Sequence, residues 1–494
     1  MSLQKCLLAA LAALVCGAAL AQKIPPDVAA ALERAKVPLD AVTLLVVDAE
    51  GKGGTPRLSH RTQVQVNPAS VMKLVTTYAG LDLLGPAYTW PTSVFVEGAV
   101  REGTLFGNLV IKGQGDPKLV AERLWLLLRR VQGLGIEKIA GDIVLDRSAF
   151  ETLEADPASF DGEPLRPYNA TPDALLLNFK SVVMTFVPDR TANIAQVHYE
   201  PPLAGVQMQT TVPLSPGTNG GNGGNGACGD YRATLKADFS DLTRIRFGGN
   251  YPLSCFEKVW PVAYADPASY SLRAVEGLWR AMGGQLVGKV RAGVPASSTA
   301  LAPAFEMSSP SLAEVIRDIN KFSNNVMAQQ LFLSLSLPAR AANNTANGTA
   351  ATQTSALPAS REASRAVVNR WWKERISPDD APTVDNGSGL SRSERISAQA
   401  LARMLQIAYR SPLMPELMSS LPIAGVDGTL RRSKAVAQGS AHLKPGSLRD
   451  VTALAGYVHG TSGKRYVLVA IANHPNANAV RPAFDALVDW TVRD

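Results

Sequence analysis

Ser70-Val-Met-Lys73 sets a serine and a lysine three positions apart, inside the run Asn67-Pro-Ala-Ser-Val-Met-Lys-Leu-Val75. On a helix, residues three apart share a face, so the amine falls beside the hydroxyl. A serine hydroxyl is a poor nucleophile until a base takes its proton. A lysine held in a dry cleft loses its charge near neutral pH and becomes that base. Taken alone, Ser-x-x-Lys is a weak pattern, met most often as a surface helix pair. Two later groupings give it company. Ser323-Asn324-Asn325 lies on or beside a helix start, and Lys444-Pro445-Gly446-Ser447 opens a strand near the end of the chain. Singly, the first reads as a helix cap and the second as a solvated strand lysine. The histidines at 60, 198, 442, 459 and 474 stand apart, with no metal-ligand spacing, so no metal and no cofactor is expected.

The elements that must position these residues follow from periodicity. A helix is expected over Asp27–Arg34, a strand over Ala41–Asp48, a turn over 49–55 and a second strand over Arg57–Val66. Ser70 then opens a helix through Leu74, Tyr78 and Leu81. From about Tyr88 the character is hairpin-like, with Ser93–Glu97 and Leu105–Lys112 around the turn Arg101–Thr104. A helix striped by Leu124, Leu127, Leu128 and Val131 precedes a strand over Ile139–Leu145. Helical spacing returns at Leu312, Val315, Ile316 and Ile319, and again at Val367, Val368 and Trp371. Two strands, Ala453–Val458 and Tyr466–Ala472, lead to a last helix with Phe484, Leu487, Val488 and Thr491 on one side. That stripe reads as core, since the helix also carries Asp485 and Asp489 and lacks a basic face. Pro213–Gly229, with its Gly-Asn repeats, and Ala339–Ser360 read as loops.

The chain begins like an exported protein. Lys5, the apolar run Leu7–Leu20 and the small-x-small site Ala19-Leu20-Ala21 form a signal peptide cleaved before Gln22. Cys6 and Cys16 leave with it, so Cys228 and Cys255 are the cysteines of the mature chain. In an oxidising compartment they are expected to pair, the alternative being two buried thiols. The bridge would close a loop of 28 residues, counting both ends, and stabilise by roughly 3–4 kcal/mol. No later stretch of about 18 apolar residues exists, so no stable membrane span is expected. At 494 residues, two to four domains are expected. The net charge of +7 is spread out, without the basic run that grips nucleic acid. A mild positive field suits an anionic cell-wall polymer.

Read in order, Ser-x-x-Lys, Ser-x-Asn and a Lys-x-Gly strand are the signature of penicillin-recognising serine enzymes. With Gly113-Gln-Gly-Asp-Pro117, Asp385-Asn-Gly-Ser-Gly-Leu-Ser-Arg392 and Leu421-Pro-Ile-Ala-Gly-Val-Asp-Gly-Thr-Leu-Arg431, the chain resembles class C penicillin-binding proteins. These are the D-alanyl-D-alanine carboxypeptidase/endopeptidase type, peptidase S13. Ser70 and Ser323 are 253 positions apart. β-Lactamases of the common serine class set these motifs far closer, whereas this family inserts two subdomains between them. The resemblance implies an α/β (α+β) chain with a penicillin-recognising serine transpeptidase/β-lactamase-like fold. That fold is an antiparallel sheet with flanking helices and a helical subdomain, interrupted by a large β-rich insertion. The expected divisions are 1–21 signal peptide, 22–87 first part, 88–305 insertion and 306–494 second part.

The resemblance also implies roles. Ser70 would attack the carbonyl between two terminal D-alanines while Lys73 takes its proton. Ser323 would relay that proton to the leaving amine, and Asn325 would hold the substrate amide. Lys444 would supply a fixed positive charge for the terminal carboxylate and keep Lys73 neutral. The backbone N–H groups of Ser70 and Ser447 would form the oxyanion hole. Gly446 and Arg392 would line the substrate, Arg392 toward an acidic group of the peptide, and Asp116 reads as a turn residue. The expected partners are peptidoglycan stem peptides and β-lactam antibiotics, in the periplasm.

One position departs from the family, which has threonine where this chain has Pro445. The hydroxyl that would bind the carboxylate is gone, and proline has no N–H. Backbone groups repeat every two residues, so the missing donor at 445 points with the N–H of Ser447, toward the open edge where proline is tolerated. The fold should survive, with substrate affinity reduced. A β-lactamase and a cell-wall binder crippled by Pro445 remain alternatives.

Overall fold

The computed structural model describes residues 24–52, 54–152, 156–215, 228–295, 302–337 and 357–494. The expected signal peptide, the Gly-Asn repeats and most of Ala339–Ser360 lie outside the described residues. The chain packs as two units. The first takes the residues up to Ala79, Ile316–Ser323 and Asn369–Asp494; the second takes Gly80–Val315 and Asn324–Val368. The expected insertion, 88–305, falls inside the second unit, which also takes in the helix Asn325–Ser334.

The first unit is built on a five-stranded sheet. Its strands are β1 (Val42–Asp48), β2 (Leu58–His60), β3 (Ala441–Leu448), β4 (Val451–His459) and β5 (Arg465–Asn473). They lie in the order β3-β4-β5-β1-β2, antiparallel throughout. β4 and β5 are buried along almost their whole length because helices cover both faces. Pro26–Arg34 and Arg481–Val492 pack Val28, Leu32, Leu487 and Val488 against Leu454 and Leu468 on one face. Against the other, in the helix Ala398–Arg410, the carbonyl of Leu405 accepts from the Tyr457 hydroxyl at 2.8 Å.

Two local expectations change here. The strand expected over Arg57–Val66 shrinks to β2, because Arg61 turns left-handed (φ 50°) and ends the ladder. The Lys444 motif does not open its strand either: β3 begins at Ala441, and Lys444 sits mid-strand opposite Ala455. β3 is an edge, as the argument about Pro445 requires. Leu443 donates its N–H outward to Pro422 O at 2.9 Å, away from β4. Two residues on, the nitrogen of Pro445 faces the same open side, so no ladder bond is lost.

The second unit carries sheets of seven, five and three strands, with Ala121–Gly133 and Pro267–Ala281 packed into one apolar cluster. Strands Pro91–Arg101 and Thr104–Lys112 meet at a two-residue turn, Glu102-Gly103, both at positive φ, the geometry of a tight hairpin. The strand expected over Ile139–Leu145 is two short ones, Lys138–Ile139 and Ile143–Asp146. Between them Gly141 passes so close to Gly107 that a Cβ would lie 2.5 Å from the Gly107 oxygen. Cys228 and Cys255 are bonded, with Cα atoms 4.4 Å apart. Among the described residues no helix is long and apolar enough to cross a membrane.

Candidate active site

Ser70 sits in a short 3-10 turn, Ala69–Met72, that feeds the helix Lys73–Leu84. Its backbone N–H lies at a helix beginning, where no earlier turn supplies an acceptor. The approach to it is locked. Asn67 Oδ1 accepts from Ala69 N at 2.8 Å, and Asn67 Nδ2 donates to Ser391 O at 2.9 Å. Asn473 accepts from Asn67 N at 2.8 Å and donates to Asn67 O at 2.9 Å. Ala69 itself is left-handed (φ 47°), a conformation that an L-residue keeps only where its surroundings impose it. Two glycines make room. A Cβ at Gly389 would fall 2.6 Å from Ser70 N, and one at Gly446 would fall 3.0 Å from it.

Lys73 is wholly buried and donates to Ser70 Oγ at 3.0 Å and, over a shorter distance, to Ser388 O. Burial pulls its pKa down to about 7, with the carboxylate of Glu394 acting in the opposite sense. Ser388 belongs to a loop that Glu394 holds. Glu394 Oε1 accepts the N–H groups of Asp385, Asn386 and Gly387 at 3.1, 3.1 and 2.9 Å, while Thr76 donates to Gly387 O at 2.6 Å. The Glu394 side chain has no exposure, its Oε2 has no hydrogen-bond partner among the described residues, and burial raises its pKa. Sequence reasoning missed this residue. The motif it read, Asp385–Arg392, stops two positions short of it.

Lys444 reaches the same place from the sheet. Its buried amine donates to Ser323 Oγ at 2.8 Å and to Pro445 O at 2.9 Å, and it is in no ion pair among the described residues. Burial first, then the charge of Lys73, drives its pKa well below the ordinary value. Both effects act against the fixed charge expected at Lys444 in the free site. Ser323 ends the helix Leu312–Phe322 in a left-handed conformation (φ 57°). That helix end is bolted down by Lys321 to Asp427 at 2.6 Å and by Asn320 Nδ2 to Ser420 Oγ at 2.9 Å. Asp427 belongs to the Leu421–Arg431 motif, which thus positions the helix bearing the second serine.

Ser70, Lys73, Ser323 and Lys444 accordingly form one cluster in the first unit. Pro445, Gly446 and Ser447 line a cavity of about 750 Å³ together with Ser70 and Ser323. Asn325 opens the second unit's helix, whose cap is Asn324, and its Nδ2 donates to Tyr168 O at 3.4 Å. Arg392 is not among the residues lining the cavity; it is exposed and paired with Asp450 at 2.9 Å. Asp116 makes the expected turn, accepting from Lys118 N at 2.8 Å, although burial lifts its pKa to about 6.

The model of the D-Ala-D-Ala carboxypeptidase 3 (S13) family matches residues 26–493. The chain is 27% identical to the D-alanyl-D-alanine carboxypeptidase of Actinomadura sp. (strain R39), over 81% of this chain and 72% of that protein. It is 24% identical to the D-alanyl-D-alanine carboxypeptidase DacB of Haemophilus influenzae, over 82% and 80% of the two chains. Among solved structures, penicillin-binding protein 4 from H. influenzae superposes with a TM-score of 0.67 at 20% identity, covering 93% of this chain and 99% of that one. A predatory endopeptidase of Bdellovibrio bacteriovorus gives a TM-score of 0.51 at 15% identity, over 91% and 93%.

Proposed function

The chain belongs to the D-Ala-D-Ala carboxypeptidase 3 (S13) family, and on that premise we propose that it is a serine D,D-peptidase of the periplasm. It cleaves peptidoglycan stem peptides through an acyl-enzyme on Ser70, as a carboxypeptidase, an endopeptidase or both. The observation that carries this reading is the wholly buried Lys73 amine 3.0 Å from Ser70 Oγ, with a pKa of about 7.

Neutral Lys73 takes the Ser70 proton as the oxygen attacks the carbonyl carbon of the scissile amide. The oxyanion accepts from the N–H groups of Ser70 and Ser447, each worth about 3 kcal/mol in such sites. Collapse forms the ester and breaks the C–N bond, with the proton travelling from Lys73 through Ser323 to the leaving amine. Asn325 holds the substrate amide, and Gly446 admits the peptide backbone beside the serine. Water then hydrolyses the ester. Two buried amines resist carrying two charges. A substrate carboxylate arriving beside Lys444 and Ser323 favours the proton on Lys444, and that charge keeps Lys73 neutral as a base. Arg392, by the family resemblance, reads an acidic group of the stem peptide once it leaves Asp450.

β-Lactams mimic the same amide, and the H. influenzae structure complexed with a β-lactam supports their binding here. The test is intact mass after penicillin treatment, joined to mass spectrometry of muropeptides. Wild type should hold a stable adduct, release D-alanine or uncross-linked peptides, and lose both on Ser70→Ala. Rapid penicillin turnover would instead mark a β-lactamase, and an absent adduct a silent binder.

A further inference from the structure

We propose that the groove beyond Pro445 docks the acidic leaving strand of a cross-linked stem peptide, which makes cross-link cleavage the favoured reaction. This rests on the reading of Ser70 as nucleophile. The cavity of about 750 Å³ that begins at Ser70 and Ser323 continues past Pro445 and Ser447 to Arg432, Lys434 and Arg481. It is far larger than one departing alanine. Its direction is set by the reaction. The acyl half stays on Ser70, and the carboxylate of the departing residue is drawn toward Lys444 and Ser323. Anything attached to that residue then runs along the wall that Pro445 and Ser447 form.

The charges along the groove are uncompensated. Arg432, Lys434 and Arg481 are exposed and in no ion pair among the described residues. The groove's acidic lining residue, Asp485, is already engaged by Ser433 Oγ at 2.8 Å and Lys434 N at 3.3 Å. Asp489 fixes the same loop by accepting from Val436 N and Ala437 N at 3.1 and 2.9 Å. The wall is thus held by backbone contacts that leave its cationic side chains free to meet a ligand. A second observation is Thr452, directly opposite Ser447 in the register and 4% exposed. Thr452 lines this groove, and its hydroxyl is buried with no hydrogen-bond partner among the described residues. A cross-linked stem peptide carries several carboxylates on its leaving strand, whereas a terminal D-alanine carries one, so the three cations discriminate between them.

The experiment compares kcat/KM on a purified cross-linked muropeptide dimer and on a pentapeptide monomer, for wild type and for the Arg432→Ala/Arg481→Ala variant. The ratio of dimer to monomer should fall about tenfold or more in the variant, because rim charges act through attraction of the charged ligand. A ratio unchanged within about twofold overturns the proposal. Penicillin labelling of the variant checks that it folds. If it fails to label, wild type in increasing salt decides: the dimer reaction should weaken more steeply than the monomer reaction, since exposed charges are screened, and parallel salt curves overturn the proposal. Wild type that cleaves neither substrate removes the peptidase reading itself.

Discussion

Each unit buries a lysine, and the two are treated in opposite ways. In the second unit Lys180, 4% exposed, lies 3.1 Å from Asp173 Oδ2 and donates to Thr171 Oγ1 at 3.0 Å. Arg147 grips the same carboxylate, its Nε at 2.7 Å from Oδ1, and the Asp173 amide donates to Gln330 Oε1 at 2.8 Å. Burial lowers the pKa of Lys180, but Asp173 pulls it back. In the first unit Lys444 meets a hydroxyl and a carbonyl, and the neighbouring charge, Lys73, pushes the same way as burial. A buried charge that is matched serves the fold. One left unmatched costs stability and gives up its proton more readily.

The sharpest way to break this comparison is to remove both kinds of lysine. Lys444→Met should cut the rate of penicillin acylation by about 10³-fold, the loss of the amine positioned against Ser323. Its melting temperature should stay level or rise, since the methionine fills the space without a buried amine. Lys180→Met should do the reverse, losing about 3 kcal/mol as one partner leaves a buried ion cluster, with the acylation rate of the folded fraction unchanged. Stopped-flow acylation and thermal denaturation on both variants check the pair. Equal effects in either assay would mean that burial alone, not pairing, separates the two sites.

The residues proposed to do chemistry were legible because that chemistry demands fixed types at fixed spacing. A serine and a lysine on one helical turn had to meet, and β3 had to bring Lys444 to them. The helices were legible from period, as Leu124, Leu127, Leu128 and Val131 all enter the core. What stayed hidden is what long-range contact alone decides. Asn67 and Asn473 lock the nucleophile turn across 406 positions, and no local pattern announces it. Glu394 looks like a charged loop residue until its neighbours bury it. The early end of β2 is set by one left-handed residue, Arg61, that carries no turn signature.

A smaller effect is expected at Pro445, where the two edges of the argument meet on one residue. Its nitrogen faces the open side of β3 while its ring lines the groove. Pro445→Thr adds a hydroxyl toward the substrate carboxylate without altering the ladder. One hydrogen bond to a charged group contributes roughly 1.5–3 kcal/mol, so kcat/KM on a D-Ala-D-Ala peptide should rise about 10- to 100-fold. Stability should move by less than about 1 kcal/mol. Steady-state kinetics check it, and a threonine variant no faster than wild type would show that Thr452 or the groove cations already read the carboxylate.

The smallest and most specific effect belongs to Glu394. Its carboxylate holds the loop that presents Ser388 O to Lys73, and its charge favours the protonated form of Lys73. Glu394→Gln separates these two actions. The glutamine carbonyl still accepts the backbone N–H groups, so the loop keeps its shape, but the negative charge is gone. Acylation requires neutral Lys73 and therefore rises with pH through about 7 in wild type. Without the charge, Lys73 loses its proton more readily, and the rising limb should move to lower pH by about one unit, equivalent to about 1.4 kcal/mol. At pH 6 the variant should then acylate faster than wild type, although it is slightly less well held. A purely structural role predicts a lower rate at every pH with the limb unmoved. The pH profile of penicillin acylation therefore distinguishes a carboxylate that only shapes the loop from one that also sets the charge of the base.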